Sequence, residues 1–398
     1  MKHAIFWTAV VGLSLSSQAL TLDEALSAAA ENSPELRAAR AEARAASAEI
    51  RSAAVWANPE LGFEAEGLGG DYNGADSAEY TLSLSQEFPT SGKNRKARAV
   101  ATAAADAARW SGAEAGLDFQ TAVRLAFIDA HAAEEILTVR EQQLVLAEEF
   151  AGAAGRRHQA GAASELEVLR AGMMMETVRG ERLAAEKAIE TARQKLARLT
   201  GLPTLGKLDG DFFQGLEKQI VAQLHASHPT LQYFQTLEKQ AHAEVALAKR
   251  SAIPDVTFGA GARYEENGDV QSYLLFASIP LPLWNRGRAD VLAAGFRVER
   301  AVGERQLAAR DLEGERAEMQ MEFELAVDGV ARYRTVLLPQ TERAVELVQE
   351  GYAAGRYGWL EQVEVQQMLA ETRMGAIEAQ RAALRAQAQL LKFYTENE

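Results

Sequence analysis

The sequence predicts a mainly α-helical fold with a small β part: tandem-duplicated long helical hairpins, each copy carrying one β-hairpin. Three observations predict it. Landmarks recur with a near-constant offset across the chain, as in Gly161 and Gly355, or Pro59 and Pro254. No proline occurs between Pro89 and Pro203, which leaves room for very long helices. Two stretches change from helical to alternating periodicity. The repeat is of domain size, so short-period repeat families do not apply.

The N-terminus reads as a secretory signal peptide over residues 1–19. Lys2 and His3 precede the apolar run Ala4 to Leu15, and Ser17-Gln18-Ala19 fits a small-residue cleavage site. The chain has no cysteine, which excludes a lipid anchor at the cut, a disulfide framework and a thiolate metal site. After residue 20 no apolar run approaches the roughly 18 residues of a membrane-spanning helix. A membrane crossing would therefore use strands. A net charge of −14 argues against nucleic-acid binding.

The first repeat is expected over 20–203. Thr21 and Glu24 form a capping box for a helix carrying Leu22, Ala25, Leu26 and Ala29. Asn32-Ser33-Pro34 interrupts it, and a second helix runs from Glu35 to about Val55, ended by Asn58-Pro59. Strands follow at about 60–67 and 79–88, joined by the glycine-rich loop Gly67 to Gly74. Ser91-Gly92-Lys93 opens a long helix, and a return helix from Ser164 to Leu199 carries a 4, 3, 4, 3 apolar spacing, a coiled-coil seam. The turn between them is a tip at about 155–166.

Residues 204–218 read as a linker, and the second repeat as 219–398. Its strands are expected at about 255–264 and 271–281, with a turn at Glu265 to Asp269. Asn285-Arg286-Gly287-Arg288 opens the second long helical segment, in which Pro339 predicts a kink. Its tip is expected at about 351–360, where Gly351, Gly355 and Gly358 interrupt the helical pattern. Glu361 and Glu364 follow at i, i+3 and share a helix face.

Each strand has about the 9–11 residues needed to cross a bilayer when tilted. Four strands cannot close a membrane barrel, because open edges in lipid leave backbone N–H and C=O groups unpaired. Transmembrane strands would thus require oligomerisation. Three copies would give a trimeric twelve-stranded outer-membrane β-barrel and bring the helices into one periplasmic tunnel.

The chain closely resembles the TolC family of outer-membrane efflux factors. The resemblance rests on the duplication, on Asn32-Ser-Pro34 and Asn58-Pro59-Glu-Leu61, and on the two tips. Ser85-Gln86-Glu87-Phe88 with Gly92-Lys93 is similar to the heavy-metal, CzcC-like branch of cobalt-zinc-cadmium efflux. The resemblance implies a passive duct in the cell outer membrane rather than an enzyme, with no cofactor. It also implies three partners: further copies of the chain in a homotrimer, a periplasmic adaptor, and an inner-membrane resistance-nodulation-division (RND) pump.

The resemblance further gives roles to individual residues. Glu361, Glu364 and, at the first tip, Glu167 match acidic positions of the periplasmic mouth. Tyr352 matches a tyrosine that holds the mouth shut; its basic partner's position holds Tyr357, with Arg356 beside it. Arg157, Gly161, Ser164 and Leu166, and Gly355, Gly358 and Leu360, match the surface on which adaptor hairpins dock. Physically, rings of carboxylates in a narrow pore concentrate cations and repel anions. Taken without the resemblance, Glu361 and Glu364 read as a solvated helix face.

Other features are weaker. His225 and His228 lack a third ligand, and Met173, Met174 and Met175 point in different directions on a helix, as packing residues do. Trp284, Tyr72 and Tyr273 suit an aromatic girdle at strand ends. Two other readings stay open: a duct for drugs or secreted proteins, and a secreted or periplasmic coiled-coil scaffold with soluble hairpins. Apolar residues in register on one hairpin face separate barrel from scaffold.

Overall fold

The structure, a computed structural model, describes residues 19–68, 78–208, 210, 216 and 226–393. The signal-peptide segment up to residue 18, Tyr72, His225 and most of the expected linker lie outside the described residues. The chain divides into two compact units, each built from both repeats. One comprises Glu35–Gly116 and His225–Gly314. The other comprises Met1–Pro34, Leu117–Leu224 and Glu315–Glu398.

The first of these units holds a four-stranded antiparallel sheet in the order β1 (Glu60–Glu66), β2 (Glu79–Phe88), β3 (Val256–Glu265) and β4 (Val270–Ser278). The fourth strand, expected at about 271–281, stops at Ser278. Pro280 and Pro282 follow and cannot donate to a ladder. Direct cross-strand partners share a face, so the register assigns every residue a side. Leu61 pairs with Leu84, Phe63 with Leu82, and Tyr273 with Ala262. Leu61, Phe63, Leu82, Leu84, Tyr273 and Leu275 thus form one apolar face, and all are exposed, Leu275 at 88%.

The other face is mainly polar. Arg263 donates to Thr81 Oγ1 (3.0 Å) and Glu79 (2.9 Å) and stands 3.7 Å from Glu66. These ties cross three neighbouring strands. β1 and β4 each keep one edge unpaired among the described residues.

The two β-hairpins correspond to each other by register. Gly62 pairs with Ser83, and Thr257 pairs with Ser278, each position 195 residues further on. Sequence matching of Pro89 with Pro282, and of Tyr80 with Tyr273, implies 193 instead. The hairpin registers fix only the sum of the offsets of the two strands, so both matches stand. The long helices start at the same offset of 195, Lys93 after Gly92 (φ 69°) and Arg288 after Gly287 (φ 68°).

In this same unit lie α2 (Pro34–Ser52) and α5 (Pro229–Ser251). His228 caps α5, accepting from the Thr230 N–H through Nδ1 at 3.3 Å. A histidine doing this is an architectural residue.

In the helical unit, α1 (Leu22–Asn32) carries the complete Thr21–Glu24 capping box. Chain direction reverses between α3 (Lys93–Gln159) and α4 (Glu165–Thr200). The 67 residues of α3 make a helix of about 100 Å. The second repeat uses α6 (Arg288–Arg332), a π turn (Tyr333–Leu337), α7 (Leu338–Ala353) and α8 (Trp359–Leu390). The kink expected at Pro339 takes the form of that π turn, with the Leu338 N–H bonded to the Tyr333 carbonyl. Pro339 has no N–H for the i→i−4 ladder, and one widened turn absorbs the break.

Small side chains let these helices approach closely. Ala25, Ala29, Val123, Ala126, Ala130 and Leu196 form one buried cluster. Asp129 on α3 accepts from Arg385 (2.6 Å) and Arg381 (3.0 Å) on α8. Charged hydrogen bonds of this kind tie helices that lie far apart in the sequence.

Candidate functional site

The two tips close with the same backbone. At the first, the Ala162 N–H bonds to the Arg157 carbonyl (2.8 Å) and the Gly161 N–H to the His158 carbonyl (2.9 Å). At the second, the Arg356 N–H bonds to the Gly351 carbonyl (2.7 Å) and the Gly355 N–H to the Tyr352 carbonyl (3.0 Å). Both are Schellman motifs, with glycine in the left-handed position at φ 71° and 69°. Only glycine adopts that conformation without a Cβ penalty. The offset between tips is 194, Gly161 to Gly355.

The side chains around this backbone differ. Ser164 caps α4, accepting from the Glu167 N–H at 3.3 Å. Arg157 donates to the Ala162 carbonyl (3.2 Å) and lies 3.9 Å from the Glu167 carboxylate. Two of the residues matched to different roles, docking and gating, are thus partners across the first turn. At the second tip Gly358 caps α8 without a side-chain bond. The Glu361 carboxylate folds back toward it, 2.8 Å from where a Cβ would stand. That places the anion at the positive end of the helix dipole. Glu364 lies one turn on, and both residues are exposed.

Gly351 corrects one expectation. It does not interrupt the helix but belongs to the last turn of α7, and it is buried. A Cβ there would overlap the Tyr357 ring. Gly351 is small so that Tyr357 can lie on it. One side of the Tyr357 ring thus lies on its own tip, and the residue is still 47% exposed. Tyr352, Leu166 and Leu360 are exposed at 38%, 55% and 45%, so they remain available to partners.

The tips are packed side by side by residues that the sequence pattern did not single out. Trp359, the first residue of α8, meets Phe150 of α3 edge to face at 6.3 Å. Ala154, Ala171 and Val363 complete this buried cluster, and Met174 packs against it. The i, i+4 spacings Phe150/Ala154 and Trp359/Val363 carried the signal, but not which stripe meets which. Among the described residues no group of three His, Asp or Glu side chains is placed to hold a metal ion.

Comparison with known proteins follows the duplication. The sequence profile of the outer membrane efflux protein family matches residues 25–202 and again 220–394. The cobalt-zinc-cadmium resistance protein CzcC of Cupriavidus metallidurans is 23% identical over 363 residues, covering 89% of this chain and 85% of that protein. The nickel-cobalt-cadmium resistance protein NccC of Alcaligenes xylosoxydans xylosoxydans is 24% identical, covering 67% of this chain and 62% of that protein. The pyoverdine export outer membrane protein OpmQ of Pseudomonas aeruginosa is 25% identical, covering 93% and 84%. Among solved structures, CusC has the same fold, with a TM-score of 0.82 at 16% identity over 94% of this chain and 91% of that one. Channels of this family are not enzymes; they sit in the outer membrane above a periplasmic helical tunnel, and they work as trimers with adaptors and inner-membrane pumps. Two profile matches that together span nearly all of the described residues place the chain in the outer membrane efflux protein family, as a TolC-type efflux channel.

Proposed function

We propose that this chain is the passive export duct of a tripartite system that expels divalent heavy-metal cations. The observation that carries the assembly is the sheet: one apolar exposed face, one mainly polar face and two open edges. Such a sheet is stable in lipid only when its edges are closed. Three copies supply twelve strands, with the polar face turned to the lumen. We assign residues 1–19 to a signal peptide, 20–203 and 219–398 to the two repeats, and 204–218 to the linker.

In this reading the periplasmic mouth is lined by Glu361, Glu364 and Glu167. Repeated around a threefold axis, these carboxylates favour cations over anions. The adaptor docks around Arg157, Gly161, Ser164 and Leu166, and around Gly355, Gly358 and Leu360. Tyr352 latches the mouth with Arg356, because Tyr357, at the basic partner's position, carries no positive charge. An inner-membrane RND pump supplies the energy. The likeness to CzcC and NccC supports cobalt, zinc, cadmium or nickel as cargo. The likeness to OpmQ favours a second reading, in which the cargo is an exported organic molecule.

Planar-bilayer conductance of the purified oligomer tests the duct. Discrete cation-selective steps are expected, and Glu361→Ala/Glu364→Ala should weaken the selectivity. Unchanged selectivity would overturn the acidic mouth, and an absence of conductance would overturn the duct. A strain lacking the chain should lose tolerance to at least one of cobalt, zinc, cadmium or nickel. Unchanged tolerance to all four would leave the organic cargo as the better reading.

A further inference from the structure

Where β4 gives way to α6, the unit that holds the sheet contains an open-sided cavity of about 740 Å³, within the size range of small-molecule sites. The end of α5 and the start of α6 form two of its walls, and residues 280–285 form the third. The third wall is held by its own backbone. Pro280 and Pro282 fix two φ angles, the Leu283 N–H bonds to the Leu281 carbonyl (2.8 Å), and the Gly287 N–H bonds to Asn285 Oδ1 (3.0 Å). The two helices meet at both ends of the cavity. A Cβ on Gly287 would stand 2.7 Å from the Ala252 Cβ, and farther along Arg297 stands 3.9 Å from the Glu244 carboxylate.

The lining changes character along the helices. Near the sheet it is apolar, with Leu281, Leu283 and Trp284 facing Leu247 and Ala248 across the cavity. Leu281, Leu283 and Trp284 are exposed, Trp284 at 93%, and they extend the exposed apolar run of Tyr273 and Leu275 past the end of β4. The charged residues lie farther from the strands. α5 runs toward the sheet and α6 away from it, so Glu244, before Ser251, and Arg297, after Gly287, sit roughly 10–15 Å along their helices from the strand ends. Asp290, in the first turn of α6, lines the cavity between these levels.

We propose that this cavity binds a phospholipid from the periplasmic leaflet of the membrane and selects an amine head group. The proposal rests on the duct reading, in which the sheet spans the bilayer. The cavity repeats the order of a lipid leaflet: apolar side chains beside the strands, a tryptophan at the boundary, charges beyond it. An acyl chain lies along Leu281, Leu283 and Trp284. The phosphate accepts from the Arg297 guanidinium, and the ammonium donates to Glu244 and Asp290. Arg297 and Glu244 stand too far apart to share a hydrogen bond, so the head group breaks none when it enters. Two carboxylates against one guanidinium leave this end of the cavity net negative. An anionic lipid without an amine therefore meets repulsion there, whereas a zwitterionic amine lipid finds a partner for each of its charges.

Native mass spectrometry of the full-length protein, extracted from membranes and given equal phosphatidylethanolamine and phosphatidylglycerol, reads the selection. Phosphatidylethanolamine should be retained in preference. Glu244→Gln/Asp290→Asn should lower its retention roughly tenfold, as the loss of charged hydrogen bonds predicts, and remove the preference. Arg297→Ala should weaken both lipids alike. Fluorescence supplies a readout on the unaltered cavity. In vesicles of phosphatidylethanolamine with brominated chains, the wild-type protein should be quenched more than Trp284→Phe, because bromine quenches an indole only on contact. Equal quenching would show that something other than lipid covers Trp284, such as a second copy of the chain, and would overturn the proposal. Retention that ignores the charge variants would overturn it too. In both cases normal conductance in planar bilayers leaves the duct standing. A wild-type protein that enters neither vesicles nor planar bilayers would overturn the duct and the lipid site together.

Discussion

At the first tip Arg157 reaches over the turn to a carbonyl and a carboxylate. At the second, the equivalent residue is Gly351, and the Tyr357 ring occupies the space. The first return helix starts with a serine cap, and the second with a glycine that supplies no side chain. One backbone motif therefore tolerates two fillings, one polar and one aromatic. The second filling has fewer polar ties. It depends on one ring resting on one glycine.

Exchanging the fillings gives the largest expected effect. Gly351→Arg, which copies Arg157, expels the Tyr357 ring and should destabilise the second tip by about 2–3 kcal/mol. Hydrogen exchange of the amides at 351–358 reads it. Adding Tyr357→Ala, which copies Ala163, should restore most of the protection. If Gly351→Arg alone exchanges like the parent protein, the ring contact holds nothing.

The shared backbone predicts a smaller and equal pair of effects. Gly161→Ala and Gly355→Ala should each cost about 1–2 kcal/mol locally, because both glycines are left-handed and neither has a neighbour that a methyl group would strike. Unequal losses would show that the two motifs are not energetically the same.

Caps distinguish the tips more finely. Ser164→Ala should cost about 1 kcal/mol and accelerate exchange at the first tip alone. Gly358→Ser should gain a few tenths of a kcal/mol at the second, with the flexible Glu361 carboxylate moving aside. A loss there instead would mean that the Glu361 carboxylate already serves as the cap. Comparable in size is the effect of Arg157→Ala. Its partly exposed pair with Glu167 contributes about 0.5 kcal/mol, so protease sensitivity of the first tip should rise only slightly.

Much of this was legible in the residues. Alternation at Leu61/Phe63 and at Leu82/Leu84 marked strands, and the register put these side chains on one face. Gly161 and Gly355 announced turns because few other residues accept a left-handed backbone. The Thr21–Glu24 box was readable for the same kind of reason: its partners are three residues apart. Glu361 and Glu364 could be placed on one helix face, but not the fold-back of Glu361 on Gly358.

Other features were out of reach. Gly351 looked like a helix break, and its function is the absence of a Cβ beneath a ring six residues on. Nothing local in Trp359 or Phe150 says that they meet.

By itself the sequence determined the class of the protein: duplicated helical hairpins, one β-hairpin in each copy, tips turned on glycine, and two glutamates on one helix face after the second turn. These follow from periodicity, capping and backbone sterics, which act over a few residues. The tertiary structure alone decided the sheet order and register, the packing of Trp359 on Phe150, and the gathering of Arg381 and Arg385 onto Asp129. Such contacts join segments far apart in the chain, and their partners are selected by the three-dimensional fit of whole faces, which no local rule encodes.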